Sequence, residues 1–242
     1  MNKAATIDYI MEDPREAARL EAKVDPEAWV QKYLAHRIHP GAEVLSVGCG
    51  PGVILNAVSA LDSSIKATGI DISADRVQEA TERNPKNPRL QFFRGDAQAM
   101  QLPSDHFDVV YSRMLLQYLR EKEKAVAEMV RVCKPGGTIW ILEPNGDNPL
   151  MRLLALLRPH ERGLLRNSAA SLSALIRGEF ADARTESRQP MPVYRVLLHY
   201  RLGLPGLGRS KASIELARGW DMAVASLLPR KWWAYILLRV TL

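Results

Sequence analysis

The sequence predicts an α/β protein with an open, doubly wound parallel sheet. Two observations predict it: short apolar segments alternate with helical segments between residues 43 and 142, and a glycine-rich turn follows the first apolar segment. Strands that alternate with helices indicate βαβ units, because parallel strands need such crossovers. Right-handed crossovers then give an open sheet whose ligands bind at the carboxyl ends of the strands.

The elements are predicted in chain order. An N-terminal helix begins near Asp13-Pro14, since Ala17, Leu20, Val24 and Ala28 recur at helical spacing. It ends before a turn at 39–41. The predicted strands are 43–47, 67–72, 90–94, 107–111 and 138–142, with 180–188 as a candidate sixth and 232–241 as the last. The predicted helices are 53–61, 73–83 with Ser73 as N-cap, 121–132 with a stop at 134–137, and 214–228.

Composition is that of an ordinary globular protein: 47% of the 242 residues are hydrophobic and 25% are charged. No run of eighteen apolar residues occurs and the N-terminus lacks an apolar signal core, so we expect neither a membrane span nor secretion. The two cysteines, Cys49 and Cys133, lack metal-ligand spacing. They indicate reduced, buried thiols in a cytoplasmic protein.

The net charge of +6 is spread unevenly along the chain. Residues 1–150 hold 18 Lys and Arg against 21 Asp and Glu, whereas residues 151–242 hold 15 against 6. A basic C-terminal third suggests an anionic partner, either a lipid surface, a nucleic acid or an acidic substrate. A solvated basic face without a partner explains the same counts equally well.

The glycine-rich turn reads LSVGCGPG over residues 45–52. Gly48, Gly50 and Gly52 follow the first strand, where glycine permits positive φ and a close approach of ligand to backbone. A dinucleotide fingerprint needs its third small residue at position 53, which is Val53, and a P-loop needs a Lys-Ser/Thr pair that does not follow. The turn therefore indicates a different ligand.

Acidic residues at two further strand ends narrow the ligand class. Asp71 ends the second strand, where an acid can accept hydrogen bonds from both ribose hydroxyls. Asp96 follows the third strand, where it can accept from an adenine amino group, and residues 107–112 form the wall of the fourth. Together these features predict a pocket for a nucleoside that carries a tail without phosphate.

This arrangement resembles the class I S-adenosylmethionine (SAM)-dependent methyltransferases over roughly residues 40–145. The similarity is greatest to small-molecule members that act on quinones, sterols and other lipophilic natural products. Two weaker matches lie outside the core motifs, at residues 9–20, which resemble a lid helix, and at residues 113–119. The core motifs are VGCGPG (47–52), GIDIS (69–73), GDA (95–97) with LP (102–103), FDVV (107–110) and RVCKPGG (131–137).

The resemblance implies a Rossmann-like sheet of seven strands with the last antiparallel. It also implies a helical lid over residues 1–40, a SAM-binding core over 41–145, and a C-terminal part over 146–242 that completes the sheet and carries acceptor-binding cap segments. The implied cofactor is SAM, with S-adenosylhomocysteine (SAH) as product and no metal. The implied reaction is direct in-line transfer of the methyl group to a small, lipophilic acceptor.

The resemblance also assigns roles to single residues. The three glycines approach the methionine part of SAM, Asp71 binds the ribose, and Ile72 packs on the adenine. Asp96 and the Ala97 N–H bind the adenine edge. Ser112 gives backbone contacts near the methionine tail, and Tyr9 closes over the cofactor. The full implied cofactor-binding set is Tyr9, Ser46, Gly48, Cys49, Gly50, Gly52, Asp71, Ile72, Asp96, Ala97 and Ser112.

Ser46 departs from the family pattern, which usually has Asp or Glu at this position to hold the SAM ammonium group. A serine hydroxyl accepts a hydrogen bond without bringing charge, and a charge-assisted bond is roughly twice as strong as a neutral one. Either another acid substitutes or SAM binding is weaker. A SAM-binding regulatory protein without catalysis is the alternative that Ser46 supports.

No catalytic base is singled out, because a sulfonium methyl is already activated and a base is needed only when the nucleophile must lose a proton. Four residues have a suitable side chain, although each also fits a surface or packing position. They are His106, Tyr118, Glu143 and His199.

The acceptor site is expected in residues 1–40 and 145–230. Leu216, Trp220, Ala223 and Leu227 fall on one helical face, and residues 157–166 are a candidate mobile cap. That face fits an acceptor pocket, a helix on a membrane surface, or a core-facing stripe with snorkelling cations. The flanking basic and aromatic residues are Arg209, Lys211, Arg218, Arg230, Lys231, Trp232 and Trp233.

Two alternative functions compete with the methylation of a small molecule. The basic C-terminal third favours a nucleic-acid methyltransferase, but no separate RNA-binding module and no Asn/Asp-Pro-Pro-aromatic element accompany it, so nucleic acid is not the expected partner. An NAD-dependent oxidoreductase is disfavoured by the glycine spacing. The expected location is the cytoplasm, with peripheral membrane contact through the basic C-terminal third.

Overall fold

A computed structural model gives the structure of residues 25–85, 87–157, 159–176, 180, 182–189, 211–225 and 227–242. The strands are β1 Glu43–Val47, β2 Lys66–Asp71, β3 Leu90–Arg94, β4 Phe107–Arg113, β5 Cys133–Pro144, β6 Arg184–Arg188 and β7 Tyr235–Thr241. The α-helices in these ranges are α1 Pro26–Tyr33, α2 Val53–Ser59, α3 Ala74–Arg83, α4 Lys122–Val132, α5 Pro149–Leu157, α6 Ala169–Ala174 and α7 Lys211–Ala225. Short 3-10 helices span Ala35–Arg37, Leu116–Tyr118, Pro159–Arg166 and Arg230–Trp232.

The seven strands form one sheet in the order β3-β2-β1-β4-β5-β7-β6. Strand β7 is antiparallel to both of its neighbours, and the pairs from β3 to β5 are parallel. The doubly wound sheet with an antiparallel last strand is therefore confirmed. Strand order reverses between β1 and β4, so the carboxyl ends of these two strands mark the crevice where such sheets bind ligands.

Both faces of the sheet are covered at its centre, where strands β1 and β4 are largely buried, whereas the edge strands β3 and β6 are more exposed. On one face Val44, Tyr111 and Trp140 pack in a cluster that includes residues of α1, α2 and α5. On the other face Leu45 and Val110 pack in a cluster that includes residues of α4 and α6. Alternate residues of each strand thus supply the two cores.

The N-terminal helix differs from its prediction. Residues 13–24 lie outside the described residues, but the helix that contains Ala28 begins at Pro26. Asp25 is its N-cap: the backbone is extended there and the Asp25 side chain accepts from the Ala28 N–H at 2.9 Å. Asp-Pro therefore starts a separate helix, because this pair caps and opens helices more readily than it continues them.

Four elements in the C-terminal half also have boundaries that differ from their predictions. Helix α4 ends at Val132 as predicted, but strand β5 starts at Cys133 rather than at 138, and its register against β4 shifts between Phe107 and Val109. Strand β6 starts at Arg184 rather than at 180. Strand β7 starts at Tyr235, since Arg230–Trp232 forms a 3-10 turn, and α7 lies three residues earlier than predicted.

Candidate functional site

The glycine-rich turn folds over the end of strand β2. Gly48, Gly50 and Gly52 have φ of 72°, 52° and 77°, values in the left-handed region that glycine adopts at no steric cost. The N–H groups of Gly48 and Cys49 both donate to the Ile70 carbonyl at 2.9 Å. The turn is therefore fixed to β2 by its backbone, and glycine is required for its shape.

Asp71 joins this turn to helix α3. Its Oδ2 accepts from the Gly50 N–H at 2.9 Å and its Oδ1 accepts from the Ser73 N–H at 3.0 Å. Burial raises the pKa of Asp71, while the Ser73 and Gly50 N–H groups oppose that rise. An ionised carboxylate has about four acceptor positions, so each oxygen can accept one further hydrogen bond.

Aromatic and aliphatic side chains pack directly on the glycines. A Cβ at Gly52 or at Gly69 would come within 2.8 Å of the Phe92 ring. A Cβ at Gly48 would come within 3.0 Å of Leu115 Cδ1. The turn thus lies between Phe92 of β3 and Leu115 of the segment after β4, which leave no room for larger residues at Gly48 and Gly52, whereas a Cβ at Gly50 would meet nothing within 4 Å.

Next to the turn lies an exposed apolar surface at the ends of β2 and β3. Ile72 and Phe93 are 56% and 47% exposed, so two large apolar side chains face solvent where these strands end. Asp96 lies just beyond β3, where its Oδ1 accepts from the Gln98 N–H at 2.8 Å. Ala97 is buried beside it. The residues that are predicted to contact adenine therefore lie together at the carboxyl ends of β2 and β3.

Ser46 is buried in β1, where it pairs in register with Tyr111 of β4. The Tyr111 hydroxyl lies near Ser46, and burial raises the pKa of Tyr111. This hydroxyl nevertheless lacks a hydrogen bond of good geometry to any residue of the described ranges, and the same holds for the buried Ser112 Oγ. Two unsatisfied hydroxyl groups thus lie at the carboxyl end of β4.

Glu143 ends β5 on the opposite side of β4 from the glycine turn. Its Oε1 accepts from the N–H groups of Leu115 at 2.7 Å and Leu116 at 2.8 Å. Its Oε2 accepts from the Gln117 N–H at 3.2 Å and from Asn167 Nδ2 at 3.3 Å. Full burial raises the pKa of Glu143 to about 7, against the effect of these donors. Glu143 therefore positions the segment that packs on Gly48.

The segment from Pro159 to Arg166 is docked on this structure. Leu164 is fully buried, and a Cβ at Gly163 would clash with the Gln117 carbonyl. Buried Lys122 donates to the Arg166 carbonyl and to Asn167 Oδ1. Close backbone packing and buried polar contacts therefore dock the described part of this candidate cap, and its mobility stays a prediction.

Two asparagines after β5 extend the buried polar network. Asn145 Nδ2 donates to the carbonyls of Lys231 at 2.9 Å and Trp233 at 2.7 Å. Asn148 Nδ2 donates to the Trp232 carbonyl at 2.7 Å. The sequence analysis missed these residues; the signal was two asparagines directly after a strand, where side-chain amides often replace backbone partners.

The three candidate bases that the structure describes lie on separate elements. His106 precedes β4 at the amino edge of the sheet, away from the ligand edge, and its ring stacks edge-on against Phe107. Glu143 is fully buried and bound by four donors. Tyr118 lies half-buried in the 3-10 helix after β4, and His199 and Tyr9 lie outside the described residues.

Helix α7 presents its apolar residues to solvent. Leu216, Trp220 and Met222 are 77%, 59% and 77% exposed, and Leu227 just beyond the helix is 81% exposed. The core-facing interpretation of this stripe is therefore wrong. Arg209 is not described, and neither are the side chains of Lys211 and Arg218, whereas Arg230 and Lys231 are exposed and lie over the rings of Trp233 and Trp232.

The structure also describes both cysteines and the helices that were examined as metal or membrane sites in the sequence. Both cysteines are free thiols; Cys133 is buried, whereas Cys49, on the glycine turn, is only partly buried. Among the described residues, no three His, Cys, Asp or Glu side chains are grouped as metal ligands. No helix in the same ranges is both long and apolar enough to cross a membrane.

Comparison with known proteins places the fold and the motifs in one family. Residues 45–141 match the model of a methyltransferase domain. The chain is 35% identical over 205 residues to ajmaline N-methyltransferase of Rauvolfia serpentina, covering 78% of this chain and 68% of the relative. The chain belongs to the class I SAM-dependent methyltransferase family.

Other relatives match the core alone. The 2-methyl-6-phytyl-1,4-hydroquinone methyltransferase of Synechocystis is 38% identical over 127 residues, covering 52% of this chain and 40% of the relative. Several curated relatives are matched over less than half of their own length. Phosphoethanolamine N-methyltransferase 2 of Haemonchus contortus, solved with SAM, has a TM-score of 0.65 at 19% identity, covering 88% of this chain and 52% of that one. This likeness concerns the fold alone.

Proposed function

We propose that this chain transfers a methyl group from SAM to a small, lipophilic acceptor. The observation that carries the proposal is the glycine turn at the strand-order reversal, held by Asp71 and flanked by exposed Ile72 and by Asp96. When bound, SAM supplies an activated sulfonium methyl group for in-line transfer, which depends on positioning more than on acid–base groups.

The residues at this edge fit the parts of SAM. The turn at Gly48–Gly52 lets the methionine portion approach the backbone, and the remaining acceptor positions of Asp71 suit the two ribose hydroxyls. Ile72 offers an apolar face for the adenine, with Asp96 and the Ala97 N–H at its polar edge. Residues 41–145 thus carry the cofactor, and residues 1–40 and 146–242 carry the lid and the acceptor-binding segments.

The relatives and the exposed apolar residues support a lipophilic acceptor. Two relatives carry names of lipophilic small-molecule substrates, a phytylated hydroquinone and the alkaloid ajmaline. Leu153, Leu156 and Leu157 of α5 are 52%, 58% and 58% exposed, close in sequence to the segment docked beside β4. These leucines offer apolar surface to such an acceptor.

Peripheral contact of a cytoplasmic protein with an anionic membrane is part of the proposal. The exposed residues Leu216, Trp220 and Leu227, with exposed Arg230 and Lys231 nearby in sequence, combine apolar side chains with positive charge. Interfacial helices bind anionic lipid through this combination. The bilayer also dissolves the proposed acceptor, so contact brings enzyme and acceptor together.

Methyl transfer is tested with methyl-labelled SAM and a panel of lipophilic quinols, phenols and amines in detergent micelles. We expect label in the organic extract of at least one reaction, with SAH formed in equal amount. Gly50→Val is the control, since valine is strained at the φ of 52° and should stop transfer. Tight SAM binding without label on any acceptor would contradict the transferase and favour a SAM-binding protein.

Membrane contact is tested by cosedimentation with vesicles of anionic or of zwitterionic phospholipid. We expect binding to the anionic vesicles, weaker binding in high salt, and loss of binding for Trp220→Glu and Leu227→Glu. Gln91→Glu, an exposed change on β3, is the control and should bind as the wild type does. Equal binding of all variants would contradict this part of the proposal.

A further inference from the structure

The Tyr111 hydroxyl is a buried polar group that lies near Ser46 but has no hydrogen bond of good geometry to a described residue. Tyr111 is 2% exposed, and its hydroxyl has no hydrogen bond of good geometry to the part of the chain that the structure describes. Buried hydroxyl groups nearly always have a partner, so an exception of this kind points to a bound ligand or an ordered water.

The Tyr111 hydroxyl lies close to the glycine turn. Tyr111 and Ser46 pair in register between β4 and β1, so their side chains leave the same face of the sheet. Gly69 pairs with Ser46 from the other side, and Cys49 folds over Gly69, where a Cβ would come within 2.9 Å of the thiol. A phenol, a hydroxyl and a thiol therefore meet directly beneath Gly48–Gly52.

Aromatic rings and a cation border this group of side chains. The Trp29 ring centroid lies 6.0 Å from that of Tyr111, and the Arg113 guanidinium lies over the Trp29 ring at 6.0 Å. The hydroxyl oxygens and ring faces attract a ligand cation, whereas Arg113 attracts a carboxylate. An α-amino acid carries both charges on neighbouring atoms.

We propose that Tyr111 is a cofactor-recognising residue whose hydroxyl, together with that of Ser46, accepts hydrogen bonds from the α-ammonium group of SAM. The pair takes the place of the side-chain carboxylate that Ser46 lacks. This inference rests on the proposed function, because it assigns one end of the cofactor to two residues of the same site.

An internal water is the competing explanation. The Trp140 Nε1 is also buried and has no partner among the described residues. Trp140 lies on β5, where it pairs in register with Tyr111 of β4. A water shared by these two groups would satisfy both without any ligand. It would also make the Tyr111 hydroxyl irrelevant to cofactor affinity, which separates the two explanations.

The test is calorimetric titration of the full chain with SAH and with a deaminated SAH that has a carboxypropyl tail. For Tyr111→Phe we expect SAH to bind about tenfold more weakly or worse, because a hydrogen bond to a charged group is lost. The deaminated ligand should bind to Tyr111→Phe and to wild type equally. Tyr33→Phe, in the same aromatic cluster, is the matched control and should bind SAH as wild type does.

If Tyr111→Phe binds SAH as tightly as wild type does, the inference is overturned and the water is favoured. If Tyr111→Phe binds both ligands equally more weakly, the inference is also overturned, because the loss then reflects a general change in packing. Both outcomes leave the proposed function standing. A wild-type protein that is folded but binds neither SAM nor SAH would overturn the proposed function together with this inference. Thermal melting of each variant checks that it is folded.

Discussion

The Asp71 carboxylate accepts a hydrogen bond from the Gly50 N–H at 2.9 Å, so the end of β2 fixes the middle of the glycine turn. The same carboxylate accepts from the Ser73 N–H at the start of α3. One side chain thus sets the shape of the turn and the start of the next helix. Asp71 is a structural residue here before any ligand is considered.

Asp71→Ala should therefore reduce both folding stability and SAH binding. The change leaves the Gly50 and Ser73 N–H groups without their acceptor, which costs about 1–3 kcal/mol of unfolding free energy. Urea denaturation measures that loss. Asp75→Ala, at an exposed position of α3, is the control. Equal stability of the two variants would contradict the anchoring role of Asp71.

Gly52→Ala should be more destabilising than Gly41→Ala. Both glycines have φ near 78°, so alanine pays a left-handed backbone cost of about 1–2 kcal/mol at each. Only at Gly52 would the new Cβ also meet the Phe92 ring, at 2.8 Å, whereas nothing lies within 4 Å at Gly41. Thermal unfolding measures the stability of the two variants. Equal losses of stability would contradict the packing of Phe92 on the turn.

The sequence predicted the sheet and the motif positions because periodicity and glycine spacing are local signals. The Ser73 N-cap is an example: its Oγ accepts from the Arg76 N–H as the pattern indicates. The Glu143 network was beyond sequence reasoning, because Asn167 and Lys122 reach Glu143 and each other only after the chain has folded. The sequence left the exposure of Leu216 undecided, because an amphipathic stripe does not show what covers its apolar face.

Glu143 should make stability fall as pH rises from about 4.5 to about 7. Its folded pKa of about 7 lies above the ordinary 4.5, so the folded state binds more protons in this range. The contribution of Glu143 to the free energy of unfolding is therefore complete below pH 4.5 and is lost as the pH rises through 7, by roughly 3 kcal/mol in total.

Urea denaturation at pH 5 and at pH 8 measures this effect in wild type and in Glu143→Gln. The variant cannot titrate at this position, so its stability should change less between the two pH values. It should also be the less stable protein at pH 5, because one amide oxygen cannot serve four N–H donors. Identical pH dependence in both proteins would show that Glu143 does not titrate in this range.

Gly163→Ala should destabilise the docked segment after α5. Its Cβ would overlap the Gln117 carbonyl, so the segment must move away from the 3-10 helix after β4. Limited proteolysis should then cut the segment faster than in wild type. Gly219→Ala is the control: its Cβ meets nothing within 4 Å, and alanine in α7 should stabilise that helix by up to about 1 kcal/mol. Equal cleavage of Gly163→Ala and wild type would contradict the docking.

Calorimetric titration with SAM tests the central claim most directly, namely that the glycine turn held by Asp71 binds this cofactor. The account predicts one-to-one binding to the wild type with a micromolar Kd. It predicts no measurable binding to Gly50→Val, whose side chain cannot adopt the φ of 52° without strain. A folded wild-type protein that binds no SAM, or a Gly50→Val variant that binds it as tightly as wild type, would contradict the account.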